Sequence, residues 1–78
     1  MKFTQYFLDI RTRPDRTDIT DDMLMYMIEN PVKETIQADG RIRSWAPIKT
    51  MNNKYLRVIL LSDSETVHNA FFDRGFAP

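Results

Sequence analysis

Apolar residues at the start of the chain recur at the spacing of an amphipathic helix. The positions i, i+3, i+4 and i+7 are occupied by Phe3, Tyr6, Phe7 and Ile10. This pattern predicts a first helix that ends before Pro14, because the residue before a proline is disfavoured in the helical conformation. The same stretch also alternates, with Tyr6, Leu8 and Ile10 on one side, so a strand is the alternative interpretation.

A second helix is predicted more clearly between Thr20 and Asn30. Thr20 is a favourable N-cap. Asp21 and Asp22 fall in the first turn, where the helix dipole stabilises negative charge. The apolar stripe that follows consists of Met23, Leu24, Met27 and Ile28. Asn30 and Pro31 end the helix, and its methionines are interpreted as core filling rather than as a metal or partner site.

After Pro31 the apolar period changes from 3.6 to 2, which predicts strands. We expect four of them, at residues 32–38, 41–48, 54–61 and 66–72. Asp39-Gly40 is a tight-turn signal between the first two, and the polar residues 49–53 and 62–65 form the other connections. The third strand is the most apolar and is therefore expected to be central. Pro47 indicates an edge position or a bulge near the end of the second strand.

These elements predict an α+β fold in which two N-terminal helices pack on one face of a four-stranded antiparallel sheet, a two-layer sandwich. A length of 78 residues accommodates one hydrophobic core, so residues 1–78 are expected to form a single domain. Cysteine is absent, which excludes disulfide frameworks and thiolate metal sites. No apolar run approaches the ~20 residues of a membrane span, and the N-terminus lacks the apolar region of a secretory signal. We therefore expect a cytoplasmic protein of bacterial type with no membrane partner.

Acidic and basic residues balance overall, with 11 of each, but they are segregated along the chain. Residues 1–31 carry a net charge of −2, residues 32–62 carry +4, and residues 63–78 carry −2. The central segment is either a solvated surface of strands or a basic face for an anionic partner. Zero net charge argues against nonspecific binding of duplex nucleic acid, since that binding needs many phosphate contacts.

The register of the last predicted hairpin decides which side chains share the sheet face turned away from the helices, here called the open face. If Asp63 and Ser64 are its central residues, the pairs are Leu60 with Val67, Val58 with Asn69 and Leu56 with Phe71. On these two strands the open face then carries Tyr55, Arg57, Ile59, His68, Ala70 and Phe72. A slip of one residue would move His68 to the core side. On the second strand, small or apolar residues at 42, 44, 46 and 48 turn Arg41, Arg43 and Trp45 to the open face.

The predicted open face combines arginines, aromatic rings and the single histidine. This combination suits single-stranded RNA, because guanidinium groups bind phosphates and rings stack on bases. In a ribonuclease, Arg57 and Arg43 would stabilise a pentacovalent phosphate. His68 or Tyr55 would help to remove the proton of the 2′-hydroxyl group. The candidate residues for binding an anion, RNA or a partner are Arg41, Arg43, Trp45 and Arg74.

Two other classes of function fit the same residues. In the first, the open face docks a partner protein or a second copy of the chain without catalysis, since Trp, Tyr and Arg are common interface anchors. In the second, the open face is solvated and the function lies in residues 69–74, where Asp73 and Arg74 pair locally or reach the sheet edge. Phe76 is expected to pack. No cofactor motif or metal-ligand cluster occurs in the sequence, so no cofactor and no metal site are predicted.

Several segments resemble a family of small uncharacterised bacterial proteins. They are residues 29–31 (ENP), 39–45 (DGRIRSW), 56–61 (LRVILL) and 66–74 (TVHNAFFDR). The order of helices followed by an antiparallel sheet is also distantly similar to the RelE/BrnT superfamily of toxins from toxin–antitoxin pairs. That resemblance implies a compact endoribonuclease whose basic sheet face is neutralised by an antitoxin protein. It also implies that Arg57 and Arg74 are the best positional analogues of the catalytic residues in those toxins.

Overall fold

A mixed five-stranded sheet carries two short helices on one of its faces in the computed structural model, which describes all 78 residues. In chain order the elements are β1 (Lys2–Phe3), α1 (Gln5–Ile10), α2 (Asp21–Glu29), β2 (Lys33–Ile36), β3 (Ile42–Ile48), β4 (Lys54–Leu60) and β5 (Thr66–Phe72). The strand order is β1-β5-β4-β3-β2, with β1 parallel to β5 and all other neighbours antiparallel. The α+β class with two helices is confirmed, whereas the prediction of four purely antiparallel strands is wrong.

The core lies between the helices and the sheet face formed by alternate residues of β3, β4 and β5. From the helices, Phe7, Leu24 and Met27 are fully buried against this face. The sheet residues of the same cluster are Ala46, Ile48, Leu56, Val58, Leu60, Val67 and Ala70. β4 lies in the middle of the sheet and contributes three buried residues, as its apolar density predicts.

The second helix begins and ends where the sequence predicts. Thr20 is the N-cap, and its hydroxyl oxygen accepts a hydrogen bond from the backbone N–H of Met23 at 3.2 Å. Asp21 and Asp22 occupy the first turn, where the helix dipole stabilises their negative charge. The C-cap is Asn30, as expected. Neither helix has the length and apolar character required to cross a membrane.

The first helix is shorter than predicted because the chain enters it through a strand. Thr4 is extended, with φ −72° and ψ 156°, and its hydroxyl oxygen accepts a hydrogen bond from the N–H of Phe7 at 3.1 Å. This N-cap starts α1 at the next residue, so Phe3 lies in β1 and pairs with Val67. The helix also ends earlier than the predicted limit before Pro14.

A β-bulge at His68 interrupts the last hairpin. Leu60 pairs with Val67, as predicted. The next pair, however, is Ile59 with Asn69, which leaves His68 as the extra residue of β5. The predicted position of His68 opposite Ile59 is therefore wrong.

Beyond the bulge, β5 is shifted by one residue from the predicted register. The observed pairs are Arg57 with Phe71, Val58 with Ala70 and Leu56 with Phe72. The prediction places Phe71 in the core and Ala70 and Phe72 on the open face, and each of these assignments is wrong. Because successive residues of a strand point to opposite faces, one extra residue in β5 reverses the face assigned to each residue that follows it.

The turns between the strands follow the sequence signals. Gly40 has a φ of 89°, which glycine adopts without strain, and it closes the predicted turn between β2 and β3. A short 3₁₀ helix, Lys49–Met51, lies in the connection between β3 and β4. Between β4 and β5, the carboxylate of Asp63 accepts hydrogen bonds from the hydroxyl and N–H of Thr66 and from the N–H of Glu65. These bonds lower the pKa of Asp63 from 3.8 to about 2.

Pro47 lies in an interior strand, but at a position where that strand has no outer neighbour. The N–H of Val32 donates to the carbonyl oxygen of Trp45 at 2.8 Å, and the pairing of β2 with β3 extends no further along β3 than Trp45. Backbone groups two residues apart point to the same side of a strand, so the nitrogen of Pro47 faces the space beyond the end of β2. This arrangement confirms the expected edge position locally, because no ladder hydrogen bond is lost there.

We expect Leu24→Ala to destabilise the fold by about 2–5 kcal/mol, because it opens a cavity at a fully buried position between α2 and the sheet. Urea unfolding followed by circular dichroism measures this change. The matched control is Leu8→Ala, which removes the same atoms from a residue that is 41% exposed on α1. This control should cost less than about 1 kcal/mol. Equal losses in the two variants would contradict the described core.

Candidate functional site

The members of the open face follow from the observed strand pairs, because directly paired residues point to the same side of a sheet. One row across the strands consists of Thr35, Arg43, Ile59 and Asn69. The next row consists of Lys33, Trp45, Arg57 and Phe71, and a third pairs Pro47 with Tyr55. Four of the predicted site residues therefore share this face: Arg43, Trp45, Tyr55 and Arg57.

Arg57 lies at the centre of the open face between two aromatic rings. Its guanidinium carbon is 5.4 Å from the ring centroid of Trp45 and 5.2 Å from that of Phe71. Arg16 adds a second cation at 5.6 Å from Phe71, and its Nε donates a 3.0 Å hydrogen bond to the carbonyl oxygen of Ala70. Each such cation–π contact contributes about 0.5–1 kcal/mol at an exposed site and more where water is excluded.

The chain after β5 folds back over the open face through Phe76, whose expected packing is confirmed. Its ring stacks on Trp45 with centroids 5.0 Å apart and an interplanar angle of 15°, and it lies 4.9 Å from the ring of Tyr55. The Nζ atom of Lys33 is 5.8 Å from the centroid of Phe76. As a result Trp45 is only 7% exposed, so its predicted role as an open stacking platform does not fit this conformation.

Asp73 neutralises the centre of the open face. Its Oδ2 atom accepts a 3.0 Å hydrogen bond from Nε1 of Trp45 and lies 3.8 Å from Nη1 of Arg57. Its Oδ1 atom accepts a hydrogen bond from the N–H of Gly75 at 3.1 Å, and its own N–H donates to the carbonyl oxygen of Tyr55 at 2.9 Å. The side chains of Asp73 and Arg57 are only 20% and 23% exposed, so the ion pair is largely shielded from solvent.

Buried polar atoms without protein partners lie on both halves of the open face, around Arg43 and at Arg57. All four buried side-chain nitrogen and oxygen atoms that lack a hydrogen bond are Thr35 Oγ1, Gln37 Oε1, Arg43 Nε and Arg57 Nε. Gln37 follows β2 and alternates with Thr35, which places it on the same side. No carboxylate lies within ion-pair distance of Arg43. These four atoms have almost no accessible surface, so the feature of this region that is available to a ligand is the unpaired charge of Arg43.

The two remaining binding candidates lie at opposite ends of the sheet. Arg41 precedes β3, and its Nε is 3.6 Å from a carboxylate oxygen of Asp39. Arg74 is exposed after β5 and lines a groove of about 870 Å³ that also contains Asp15. It forms no ion pair with Asp73, in contrast to the local pairing considered from the sequence. Arg41 is paired with Asp39 and its charge also acts on His68, so neither candidate is an established member of the open face.

His68 does not share the open face with Arg57. Its ring stacks on Tyr6 of α1 with centroids 5.0 Å apart. Its Nδ1 atom lies 3.1 Å from Oγ1 of Thr4, the N-cap of the same helix. The bulge therefore turns His68 to the helical layer, which is the side that a one-residue slip of the predicted register implies.

The environment of His68 favours its neutral form. Burial lowers the pKa of His68 below its ordinary value of 6.5, and the positive charge of Arg41 lowers it further, against the opposing effect of Asp39. The catalytic trio considered from the sequence, Arg57, His68 and Tyr55, is thus divided between the two sides of the sheet. No group of three potential metal-ligating side chains occurs in the structure.

Sequence reasoning did not assign a site role to Phe71 or Arg16, and it expected only local pairing or an edge contact of Asp73. Phe71 was missed because of the bulge, and Arg16 because a loop residue 54 positions from its partner Ala70 carries no local signal. Asp73 does have a signal. It is the single carboxylate in the run 71–76 (FFDRGF), where a turn glycine allows the chain to fold back.

Replacement of Asp73 should destabilise the open face. We expect Asp73→Ala to lower the free energy of unfolding by about 1–3 kcal/mol, because it leaves Trp45 Nε1 without its acceptor and the largely shielded Arg57 without its ion-pair partner. Urea unfolding followed by the fluorescence of Trp45, the only tryptophan, measures the loss. The control is Glu65→Ala, which removes an exposed carboxylate 3.9 Å from Lys2 and should cost less than about 1 kcal/mol. A cost for Asp73→Ala no larger than that of the control would contradict the described bridge.

The lowered pKa of His68 predicts a specific pH dependence of stability. The native state binds fewer protons than the unfolded chain below neutral pH, so the contribution of His68 is fully present above 6.5 and is lost as the pH falls through 6.5 towards the folded pKa. In urea unfolding between about pH 8 and pH 5, this loss should be present in the wild type and absent from His68→Gln. A wild-type stability that rises as the pH falls through this range, relative to the variant, would contradict the described environment.

Comparison with known proteins leaves the chain without an established relative. No protein-family model, curated protein or solved structure matches it. The resemblance to RelE/BrnT toxins therefore stays a prediction from the residues, and the function proposed below rests on contacts within this chain.

Proposed function

We propose that the open face binds single-stranded RNA, with Arg43 as the principal contact to phosphate. The observation that carries this proposal is that Arg43, in the row of Thr35, Ile59 and Asn69 on that face, has no carboxylate within ion-pair distance. Lys33, which is exposed in the neighbouring row, also lacks a carboxylate partner. A sugar–phosphate backbone supplies the negative charge that these two cations lack in the chain.

The distribution of charge supports an anionic ligand on this side of the sheet. Residues 1–31, which include both helices, carry a net charge of −2, whereas residues 32–62 carry +4. The ion pairs of Arg41 with Asp39 and of Arg57 with Asp73 leave Arg43 and Lys33 without carboxylate partners. The unpaired charges of Arg43 and Lys33 therefore attract an anion to the open face.

A flexible single strand fits the site better than duplex nucleic acid. The basic region spans only a few strands and contacts few phosphates, too few for nonspecific binding of a duplex. Binding is proposed rather than cleavage, because His68 lies on the other side of the sheet from Arg57.

The proposal is tested by titrating a fluorescein-labelled single-stranded RNA of mixed sequence with wild type and Arg43→Ala. We expect Arg43→Ala to weaken binding about tenfold, the loss of one charge-assisted contact. If about three phosphates are contacted, the logarithm of the wild-type affinity should fall with the logarithm of salt with a slope of about −2. The same sequence as single-stranded DNA measures how much the 2′-hydroxyl groups contribute to binding.

The matched control is Arg13→Ala, which removes the same charge from an exposed loop residue of the helical layer and should leave binding unchanged. Equal effects of the two substitutions, or no RNA binding by the wild type at low salt, would contradict the proposal.

A partner protein or a homodimer on the open face is the competing outcome. An antitoxin-like protein, which the resemblance to RelE/BrnT toxins implies, would belong to this class. It would give salt-insensitive association and a change of oligomeric state that depends on Trp45 and Tyr55.

A further inference from the structure

We propose that the segment Asp73–Phe76 occupies the position of one nucleotide of the bound RNA. The carboxylate of Asp73 takes the place of a phosphate on Arg57, and the ring of Phe76 takes the place of a base on Trp45. This inference rests on the proposed function and adds that the chain itself covers the stacking half of the open face. Stacking of a base on Trp45 then requires this segment to move.

The surroundings of Asp73 are those of a bound anion. One oxygen, Oδ2, is shared between the indole N–H of Trp45 at 3.0 Å and the guanidinium group of Arg57 at 3.8 Å. A phosphate group can accept a hydrogen bond from the same indole N–H and form an ion pair with the same guanidinium group. Exchange of the carboxylate for a phosphate therefore preserves both contacts.

The ring of Phe76 has the geometry of a stacked base. It lies nearly parallel to the indole of Trp45, with an interplanar angle of 15° and centroids 5.0 Å apart. Lys33 lies over the ring of Phe76 at 5.8 Å from its centroid, where it would be close to a following phosphate. Bases stack on aromatic side chains in this way irrespective of sequence, because every base has a flat π surface.

The carboxylate of Asp73 and the ring of Phe76 belong to one turn of the chain. The turn joins them over a short distance, in the way that the sugar joins the phosphate and the base of one nucleotide. Asp73 and Phe76 are three residues apart, and the N–H of Phe76 donates to the carbonyl oxygen of Asp73 at 3.4 Å. The turn between them is held by the bond from the N–H of Gly75 to the side chain of Asp73. Asp73 and Phe76 thus present an anion and a flat ring to Arg57 and Trp45 at the same time.

The ring end of the segment is held more loosely than Asp73, whose N–H donates a 2.9 Å hydrogen bond to the carbonyl oxygen of Tyr55. The backbone hydrogen bond of Phe76 is long, and the other contacts of its ring are with Trp45, Tyr55 and Lys33 on the open face. Arg74 and Gly75 are exposed, and no residue of the segment belongs to the hydrophobic core. The ring can therefore leave Trp45 without any change in the packing between sheet and helices.

The test compares Phe76→Ala with Phe76→Tyr in titrations with the same single-stranded RNA. Phe76→Ala should bind the RNA at least about fivefold more tightly than the wild type does. A fivefold gain in affinity corresponds to the lower end of the stacking energy of one base. RNA should also quench the fluorescence of Trp45 more strongly in this variant. Phe76→Tyr keeps a ring over Trp45 and should match the wild type. Asp73→Asn, which removes the competing charge but keeps an acceptor oxygen, should also raise the affinity, and circular dichroism verifies that each variant is folded.

The outcomes separate this inference from the proposed function. If RNA binding depends on Arg43 but Phe76→Ala binds no more tightly than wild type, the inference is overturned and the proposed function stands. Weaker binding by Phe76→Ala would also overturn it, since Phe76 would then be part of the binding surface. If neither wild type nor Phe76→Ala binds RNA at low salt, the proposed function itself fails and the inference fails with it.

Discussion

Two short helices cover only one face of the sheet, so the other face has to be stabilised by its own side chains. The open face meets this requirement with a continuous series of contacts between cations and rings, in the order Arg16, Phe71, Arg57, Trp45, Phe76 and Lys33. The rings shield the strands from water, and the stems of the cations pack while their heads stay near solvent. Asp73 completes the arrangement, because its carboxylate offsets the charge of Arg57 at the centre. The buried position of Trp45 and the course of the chain after β5 both depend on this array.

The array leaves the open face divided into a filled and an unfilled part. Around Trp45 the charges are paired and the ring surfaces are covered, whereas Arg43 has no carboxylate partner in the chain. The unfilled part provides a first point of contact for a polyanion, and the filled part is where an extended ligand would have to compete with Asp73 and Phe76.

Local patterns in the sequence were sufficient for much of this architecture. The alternation of apolar and polar residues correctly placed Arg43, Trp45 and Arg57 on one face, because side-chain direction in a strand depends only on position along it. The same reasoning failed at His68, since a bulge without glycine has no local signature and reverses every residue after it. Strand β1 was missed for a related reason: two residues paired in parallel with β5 show no periodicity of their own. The partners of Asp73 were also out of reach, because they lie on strands far away in the chain.

The bulge makes the composition of the open face depend on the length of β5 as much as on its residue types. Between Val67 and Asn69 the strand contains one residue more than β4 requires, and the regular ladder then continues to Phe71. Deletion of His68 would preserve the pairing of Phe71 with Arg57. Deletion of Ala70 would instead turn the ring of Phe71 into the core. A deletion at position 68, just before Asn69, therefore leaves the open face unchanged, whereas a deletion just after Asn69 removes Phe71 from it. The contact between the ring of Phe71 and the guanidinium group of Arg57 therefore depends on the number of residues that separate Phe71 from Asn69.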